Sequence, residues 1–165
     1  MNKTIIIVLA VILVLVGLLY WGRQVQNPLL DSVGAGNVSE SIMASENFYD
    51  FGQISMKDGN VEKVFTVTNA SETSVLIEKL TTSCMCTVAF FGAESGEKGP
   101  FGMPGHSGVV PRLNEIIASG ESRNVRVVFD PNAHGPAGVG PISRVVYLEG
   151  KDGILELGFK AMVTP

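Results

Sequence analysis

The two cysteines of the chain, Cys84 and Cys86, stand one residue apart in the stretch "TTSCMCTVAF" at residues 81–90. The flanking threonine, valine and phenylalanine residues favour a β-strand, in which side chains two residues apart point to the same side. The two Cα atoms would then lie about 6.6 Å apart, with Cβ vectors that run parallel, and this geometry is unfavourable for a disulfide. The spacing therefore favours an ion held between two thiolates.

Further metal-binding side chains occur in two stretches rich in glycine and proline. Residues 92–111 contain Met103 and His106, and residues 131–141 contain His134. A loop of roughly 20 residues is long for a compact domain and is often functional. Thiolate, thioether and imidazole together form a soft donor set, which favours Cu(I), with zinc as the second choice. The candidate metal ligands are Cys84, Cys86, Met103, His106 and His134.

Two other interpretations of the cysteines stay open. Buried cysteines often act as small apolar side chains, and the domain would then be a non-catalytic protein-interaction module of the cell envelope. A pair that cycles between dithiol and disulfide would make a thiol redox protein, but the nearest cation in the sequence is Lys79, which gives this interpretation little support. An enzyme is not expected, because no nucleophile-elbow motif frames Ser83 or Ser107 and no phosphate-binding glycine motif is present.

The chain opens with an apolar run without charge at residues 5–21. As a helix, these 17 residues would extend roughly 26 Å, close to the thickness of the bilayer core. Tyr20 and Trp21 close the run, as aromatic residues do at a membrane interface, and no small-residue cleavage site follows. The pattern predicts one uncleaved transmembrane helix over residues 1–22, with a cleaved signal peptide as the alternative.

The rest of the chain divides into a polar stalk at residues 23–45 and one β-rich domain at residues 46–165. Apolar residues recur with a period of two in the domain, as at residues 125–129 and 155–161. The Asp-Gly pair in "EGKDG" at residues 149–153 indicates a hairpin turn. The pattern predicts an all-β fold, a single antiparallel immunoglobulin-like β-sandwich of about seven strands.

Charge patterns suggest where the domain lies and what it contacts. Lys3 and the terminal amine precede the apolar run, and Arg23 alone follows it until Lys57, so the positive-inside rule favours a single-pass protein of the cell membrane with an exported domain, either periplasmic or extracellular. The expected partners are the membrane itself and envelope proteins. The net charge of −4 and the lack of a basic stripe argue against nucleic acid, and no small-molecule substrate is indicated.

Several short elements occur in a characteristic order along the domain. They are an Asp-Phe-Gly start, a strand ending in Thr-Asn, a Ser-Cys-x-Cys-Thr element, a Gly-Glu turn and a strand ending in Phe-Asp, at residues 50–52, 68–69, 83–87, 120–121 and 129–130. Over residues 48 to about 163 the chain resembles a bacterial family of exported or membrane-anchored domains of unknown function. The resemblance implies an immunoglobulin-like sandwich of the ASH and major-sperm-protein type and implies no activity. Both histidine-bearing loops are longer here than in the family pattern.

Overall fold

The computed structural model describes residues 40–105 and 112–165. These residues form ten strands and two short 3₁₀ helices. The strands are β1 (Ile42–Ala44), β2 (Phe48–Ser55), β3 (Val61–Asn69), β4 (Val75–Thr82), β5 (Thr87–Ala93), β6 (Gly96–Phe101), β7 (Glu115–Ile117), β8 (Ser122–Phe129), β9 (Gly140–Gly150) and β10 (Gly153–Thr164). The 3₁₀ helices span Met56–Asp58 and Gly135–Gly138.

The strands form two five-stranded sheets. The first sheet has the order β1-β3-β8-β5-β6, and the second has the order β2-β10-β9-β4-β7. Every pair in the first sheet is antiparallel, whereas β2 runs parallel to β10 in the second sheet. The prediction of an all-β sandwich is confirmed. The prediction that all of its strands are antiparallel is wrong, because the parallel pair joins strands from opposite ends of the domain and no local pattern signals it.

The structure has more strands than the seven that the sequence predicted. β1 and β7 have three residues each and are too short to show an alternating pattern. β6 lies inside residues 92–111, which were predicted to be a loop because of their glycine and proline content. β6 pairs with β5 through the backbone, and this pairing needs no alternation of apolar side chains.

The inner faces of the two sheets enclose one apolar core. Val125 and Val127 of β8 and Leu157 of β10 are fully buried, as their period of two predicts. Phe129 of β8 and Phe159 of β10 meet between the sheets, with ring centroids 5.6 Å apart. Each such side chain contributes about 1.5–3 kcal/mol when it leaves water, so this core holds the sheets together and fixes the positions of their ends.

The cysteine stretch connects the two sheets. β4 belongs to the second sheet and β5 to the first, so residues 83–86 form a turn at the corner where the chain crosses between them. We call these four residues the corner turn. The prediction that Cys84 and Cys86 lie in one continuous extended strand is wrong, because the chain turns there to reach the other sheet.

The N-terminal predictions fall largely outside the described residues. The predicted transmembrane helix at residues 1–22 and the stalk up to residue 39 lie there. Within the described part of the chain, no helix is long and apolar enough to cross a bilayer. Strand β1 begins at Ile42, before the predicted domain start at residue 46, and Ile42 is 1% exposed.

Candidate metal centre

The corner turn is held by hydrogen bonds from the two strands that it joins. The backbone N–H of Thr87 donates to the carbonyl oxygen of Cys84 at 3.1 Å, which closes a four-residue β-turn. The buried hydroxyl of Thr82 lies 3.0 Å from the carbonyl oxygens of both Cys84 and Thr87, which share its one O–H donor. Cys84 and Cys86 therefore occupy the first and third positions of a turn whose shape is fixed from inside the protein.

Neighbouring strands of both sheets also hold the corner turn. The N–H of Ser83 donates to the carbonyl oxygen of Val145 at 2.9 Å, and the N–H of Val145 donates to the Ser83 hydroxyl at 2.9 Å. These two bonds tie the turn to β9. The N–H of Asp130, just after β8, donates to the carbonyl oxygen of Cys86 at 2.9 Å. The position of the thiols thus depends on tertiary contacts with elements far along the chain.

The corner turn brings both thiols next to His134. The two cysteines are free, Cys84 is half-buried and Cys86 is 3% exposed. The Sγ atom of Cys84 lies 3.2 Å from Nε2 of His134. One nitrogen of the imidazole and the two sulfur atoms all lie within 4.8 Å of one another. Three of the five side chains that the sequence nominated as ligands therefore form one cluster.

His134 reaches this cluster from an ordered segment between β8 and β9. The carboxylate of Asp130 accepts a hydrogen bond from the N–H of Asn132 at 2.8 Å, and this contact starts the turn. The side-chain amide of Asn132 donates to the carbonyl oxygen of Met56 at 2.8 Å, which fixes the segment to the first 3₁₀ helix. His134 then precedes the second 3₁₀ helix, Gly135–Gly138, and its exposed ring faces Cys84.

The other two predicted ligands are not placed in the cluster. His106 lies outside the described residues. Met103 is half-buried and follows Gly102, whose carbonyl oxygen accepts a hydrogen bond from the N–H of Thr82 at 3.3 Å. This bond brings the backbone that carries Met103 close to the strand end that precedes Cys84. Ligand roles for Met103 and His106 stay predictions.

Arg144 on β9 completes the surroundings of the thiols, and the sequence analysis missed it. Its Nε atom donates to the Sγ atom of Cys86 at 3.3 Å, and its Nη1 atom donates to the carbonyl oxygen of Ser143 at 2.7 Å. Lys79, the nearest cation in the sequence, pairs with Glu149 at 2.8 Å, whereas Arg144 contacts Cys86. The sequence contained one signal for Arg144, because a charged residue among the apolar residues of the inner face of β9 indicates a buried partner.

These contacts make the two thiols chemically different. Burial acts to raise the pKa of the Cys84 thiol, but hydrogen bonds with Cys86 and His134 and the charge of Arg144 lower this pKa to about 7. Burial raises the pKa of the Cys86 thiol, and its hydrogen bond with Cys84 raises it further, while Arg144 only partly offsets these effects. The first proton to leave the pair therefore comes from Cys84.

The cluster has the donor types and nearly the dimensions of a metal site. Thiolate sulfur and imidazole nitrogen bind such ions at about 2.3 and 2.0–2.1 Å, so two ligand atoms on one ion are at most about 4.6 Å apart. The three ligand atoms lie within 4.8 Å of one another, so a small inward movement brings all three onto one ion. The exposed position of His134 leaves room for that movement.

Sequence comparison relates the first part of the domain to a known family. The sequence model of a family described as "Protein of unknown function (DUF1573)" matches residues 42–103, which is less than half of the 165-residue chain. The matched part runs from β1 to β6 and includes both cysteines, whereas His134 and Arg144 lie beyond it. No curated protein matches the chain in sequence.

Several solved structures are similar in fold. A protein of unknown function from Porphyromonas gingivalis aligns with a TM-score of 0.54 and 15% identity over 81% of this chain and 51% of its own. A family 123 glycoside hydrolase from Clostridium perfringens aligns with a TM-score of 0.50 and 8% identity over 71% of this chain and 22% of its own. The ASH / PapD-like domain of human CEP192 aligns with a TM-score of 0.44 and 13% identity over 84% of this chain and 95% of its own.

At these identities the structural likeness establishes the fold alone. The chain spans about half the length of the Porphyromonas gingivalis protein and less of the hydrolase, so the activities of whole proteins do not transfer to it. The described residues form a β-sandwich of two five-stranded sheets, and the sequence from β1 to β6 is similar to a family of unknown function.

Proposed function

We propose that this domain binds a soft metal ion, with Cu(I) as the preferred ion, through the thiolates of Cys84 and Cys86 and the imidazole of His134. The observation that carries the proposal is the convergence of three ligand atoms within 4.8 Å. His134 stands far along the chain from the cysteines, and the packing of the two sheets brings the three side chains together. Met103, which follows the Gly102 contact with the end of β4, is proposed as a further ligand, and so is His106.

The donor set supports Cu(I) over zinc. Soft thiolate ligands favour Cu(I), whereas structural zinc sites are almost always closed by four protein ligands. Within the described residues, the cluster contains no fourth cysteine, histidine or carboxylate. Zinc is therefore the second choice, and it would need a ligand such as His106 or a water molecule.

The unequal exposure of the ligands supports capture and release in place of permanent storage. Cys86 is buried, Cys84 is half-buried and His134 is exposed. An ion would therefore approach and leave on the side of Cys84 and His134, while Cys86 holds it from below. Such a site suits a protein that senses an ion or passes it on.

The apolar run at residues 5–21 supports a location for this activity. We propose that the run anchors the protein in the cell membrane and that the sandwich is exported, where it meets metal ions and other envelope proteins. The test is protease treatment of intact spheroplasts that express the chain. Digestion of the sandwich in intact cells is expected, and protection until the cells are lysed would contradict export.

Anaerobic titration of the full-length protein with Cu(I), against a chromophoric Cu(I) chelator, tests the proposed function. The wild type is expected to withdraw one Cu(I) per chain from the chelator, and the Cys84→Ser/Cys86→Ser variant is expected to withdraw none. Met85→Leu is the matched control, because Met85 stands between the two cysteines and its side chain is 46% exposed. A wild type that competes no better than the double variant would overturn the proposal.

Thiol–disulfide exchange is a second candidate, and the pairing of an accessible thiol with a buried one favours it. The Cys84 thiolate would attack a partner disulfide, forming a mixed disulfide and releasing one partner thiolate. Cys86 would then displace the second partner thiolate, which leaves the partner reduced and Cys84–Cys86 oxidised. The Cys86→Ser variant should trap the mixed disulfide. If the thiols of the native protein resist labelling, this result would count against both metal binding and thiol–disulfide exchange. It would favour a protein-interaction module instead.

A further inference from the structure

Arg144 is a positive charge that faces the interior at the end of the sandwich. Every second side chain of β9 points to the same face of the sheet, and this face carries Ile142, Arg144, Val146 and Leu148. Val146 and Leu148 are buried in the core. A guanidinium in this position loses part of its hydration, so it needs a counter-charge or hydrogen-bond acceptors. Its acceptors are the Cys86 sulfur and the carbonyl oxygen of Ser143.

Arg144 differs in this respect from Arg123 and Arg126. Arg123 pairs with Glu121 at 2.7 Å, and Arg126 pairs with Glu97 at 2.5 Å. Within residues 40–105 and 112–165, none of the ion pairs includes Arg144. The negative charge that Arg144 can meet is therefore the charge that develops on the cysteine pair.

We propose that Arg144 is the specificity determinant of the metal centre and makes it prefer monovalent soft ions, such as Cu(I) and Ag(I), over divalent ions such as Zn(II) and Cd(II). The inference rests on the proposed metal binding at Cys84, Cys86 and His134. The selection among ions would come from Arg144, whose side chain contacts Cys86 but is not itself a metal ligand.

The net charge of the loaded cluster depends on the charge of the ion. An ion that binds displaces the protons of two thiols, so a monovalent ion leaves a cluster with one net negative charge and a divalent ion leaves a neutral cluster. A fixed positive charge a few ångström away stabilises the negative cluster and has little net effect on the neutral one. Arg144 should therefore strengthen the binding of a monovalent ion selectively.

The geometry allows Arg144 to keep its contact when the ion is bound. The Nε–H group already points at the Cys86 sulfur, and a metal-bound thiolate retains lone pairs that can accept this hydrogen bond. The second hydrogen bond, to the carbonyl oxygen of Ser143, fixes the guanidinium to its own strand. Arg144 can thus act without any rearrangement of β9.

Affinities of the full-length protein for Cu(I) and Cd(II), measured anaerobically with competing chelators, test this inference. In Arg144→Gln we expect the Cu(I) affinity to fall about tenfold and the Cd(II) affinity to change less than about threefold. Arg144→Lys keeps the charge and should retain most of the preference for Cu(I). Lys151→Gln is the charge-matched control, because Lys151 lies at the other end of β9, roughly 23 Å along the strand.

The outcomes separate this inference from the proposed function. Equal losses for both ions in Arg144→Gln, or no loss for either, would overturn the role of Arg144 while metal binding by the wild type stands. A wild type that binds neither ion would overturn the proposed function and the inference with it. Thermal unfolding of each variant without metal reports whether it folds. If Arg144→Gln does not fold, Arg144→Met, which keeps a long unbranched side chain, takes its place.

Discussion

Two turns of the domain differ in what surrounds them. The turn at residues 151–152 joins β9 to β10, which are neighbours in one sheet, and both of its residues are exposed. The corner turn joins β4 to β5 across the two sheets, and it receives hydrogen bonds from Thr82, Val145 and Asp130. The candidate site lies at the corner turn, because strands of both sheets and the His134 segment meet there, whereas both residues of the hairpin turn are exposed.

The same difference affects the strength of charge interactions. Charges at the hairpin turn are exposed and are therefore screened by water and salt. At the corner turn the thiols and Arg144 are partly or fully buried, so each contact alters the pKa of a neighbour. A crossing between sheets thus places ordinary side chains where they alter one another's pKa.

Removal of a ligand from the corner turn should give the largest effect. Changes to residues that merely support a metal ligand cost about 10–100-fold in affinity, so loss of a ligand itself should cost more. We expect Cys86→Ser to lower the Cu(I) affinity by more than about hundredfold, as measured by chelator competition. Asp152→Ala in the hairpin turn is the control and should leave the affinity unchanged. Equal Cu(I) affinities in Cys86→Ser and Asp152→Ala would show that the corner turn matters no more for binding than the hairpin turn.

Loss of the Thr82 hydroxyl should destabilise the domain. Thr82→Val removes the hydroxyl that the carbonyl oxygens of Cys84 and Thr87 share. The carbonyl oxygen of Cys84 keeps its bond from the N–H of Thr87, so the cost is that of an ordinary hydrogen bond, about 0.5–1.5 kcal/mol. The free energy of unfolding, measured by urea denaturation, should fall by that amount. Thr82→Ser retains a hydroxyl and should recover most of the loss. A Thr82→Val protein as stable as the wild type would show that the corner turn does not depend on this bond.

Alkylation should distinguish the two cysteines by pH. A thiol alkylates as the thiolate, and a pKa of about 7 makes Cys84 roughly half ionised at neutral pH, against a few per cent for an ordinary thiol. The rate at pH 7 should therefore exceed that of an unperturbed cysteine by about tenfold and should rise with a midpoint near pH 7. Cys84→Ser should leave only slow labelling of Cys86. A midpoint above about pH 8.5 would contradict the lowered pKa.

Changes at the hairpin turn should give the smallest effect. Exposed substitutions away from buried contacts usually alter stability by less than about 0.5 kcal/mol. Lys151→Gln should therefore unfold at nearly the same urea concentration as the wild type. A larger loss of stability would mean that the hairpin turn is held by more than its own backbone.

Features of the fold that depend on local patterns were predictable from the sequence. The inner faces of β8 and β10 follow from alternation at residues 125–129 and 155–161, and the Asp-Gly pair marked the hairpin. Strand β6 was missed because its glycines and proline conceal a strand whose pairing is made by the backbone. The parallel pairing of β2 with β10 has no local signal at all.

The candidate site was only partly predictable. Cys84, Cys86 and His134 were named from their chemistry, and they do lie together, but the predicted extended strand was the wrong reason. The turn that unites the thiols depends on hydrogen bonds from distant strands, which no local window contains. Arg144 reaches Cys86 only because β9 lies beside β4 in the folded sheet.

X-ray absorption at the copper edge tests whether Cu(I) binds at the corner turn through Cys84, Cys86 and His134. The sample is full-length protein loaded anaerobically with one Cu(I) per chain. We expect at least two sulfur neighbours and at least one imidazole nitrogen around the copper, with one sulfur fewer in Cys86→Ser and one imidazole fewer in His134→Ala. A copper environment without sulfur, or one that neither variant changes, would contradict binding at the corner turn.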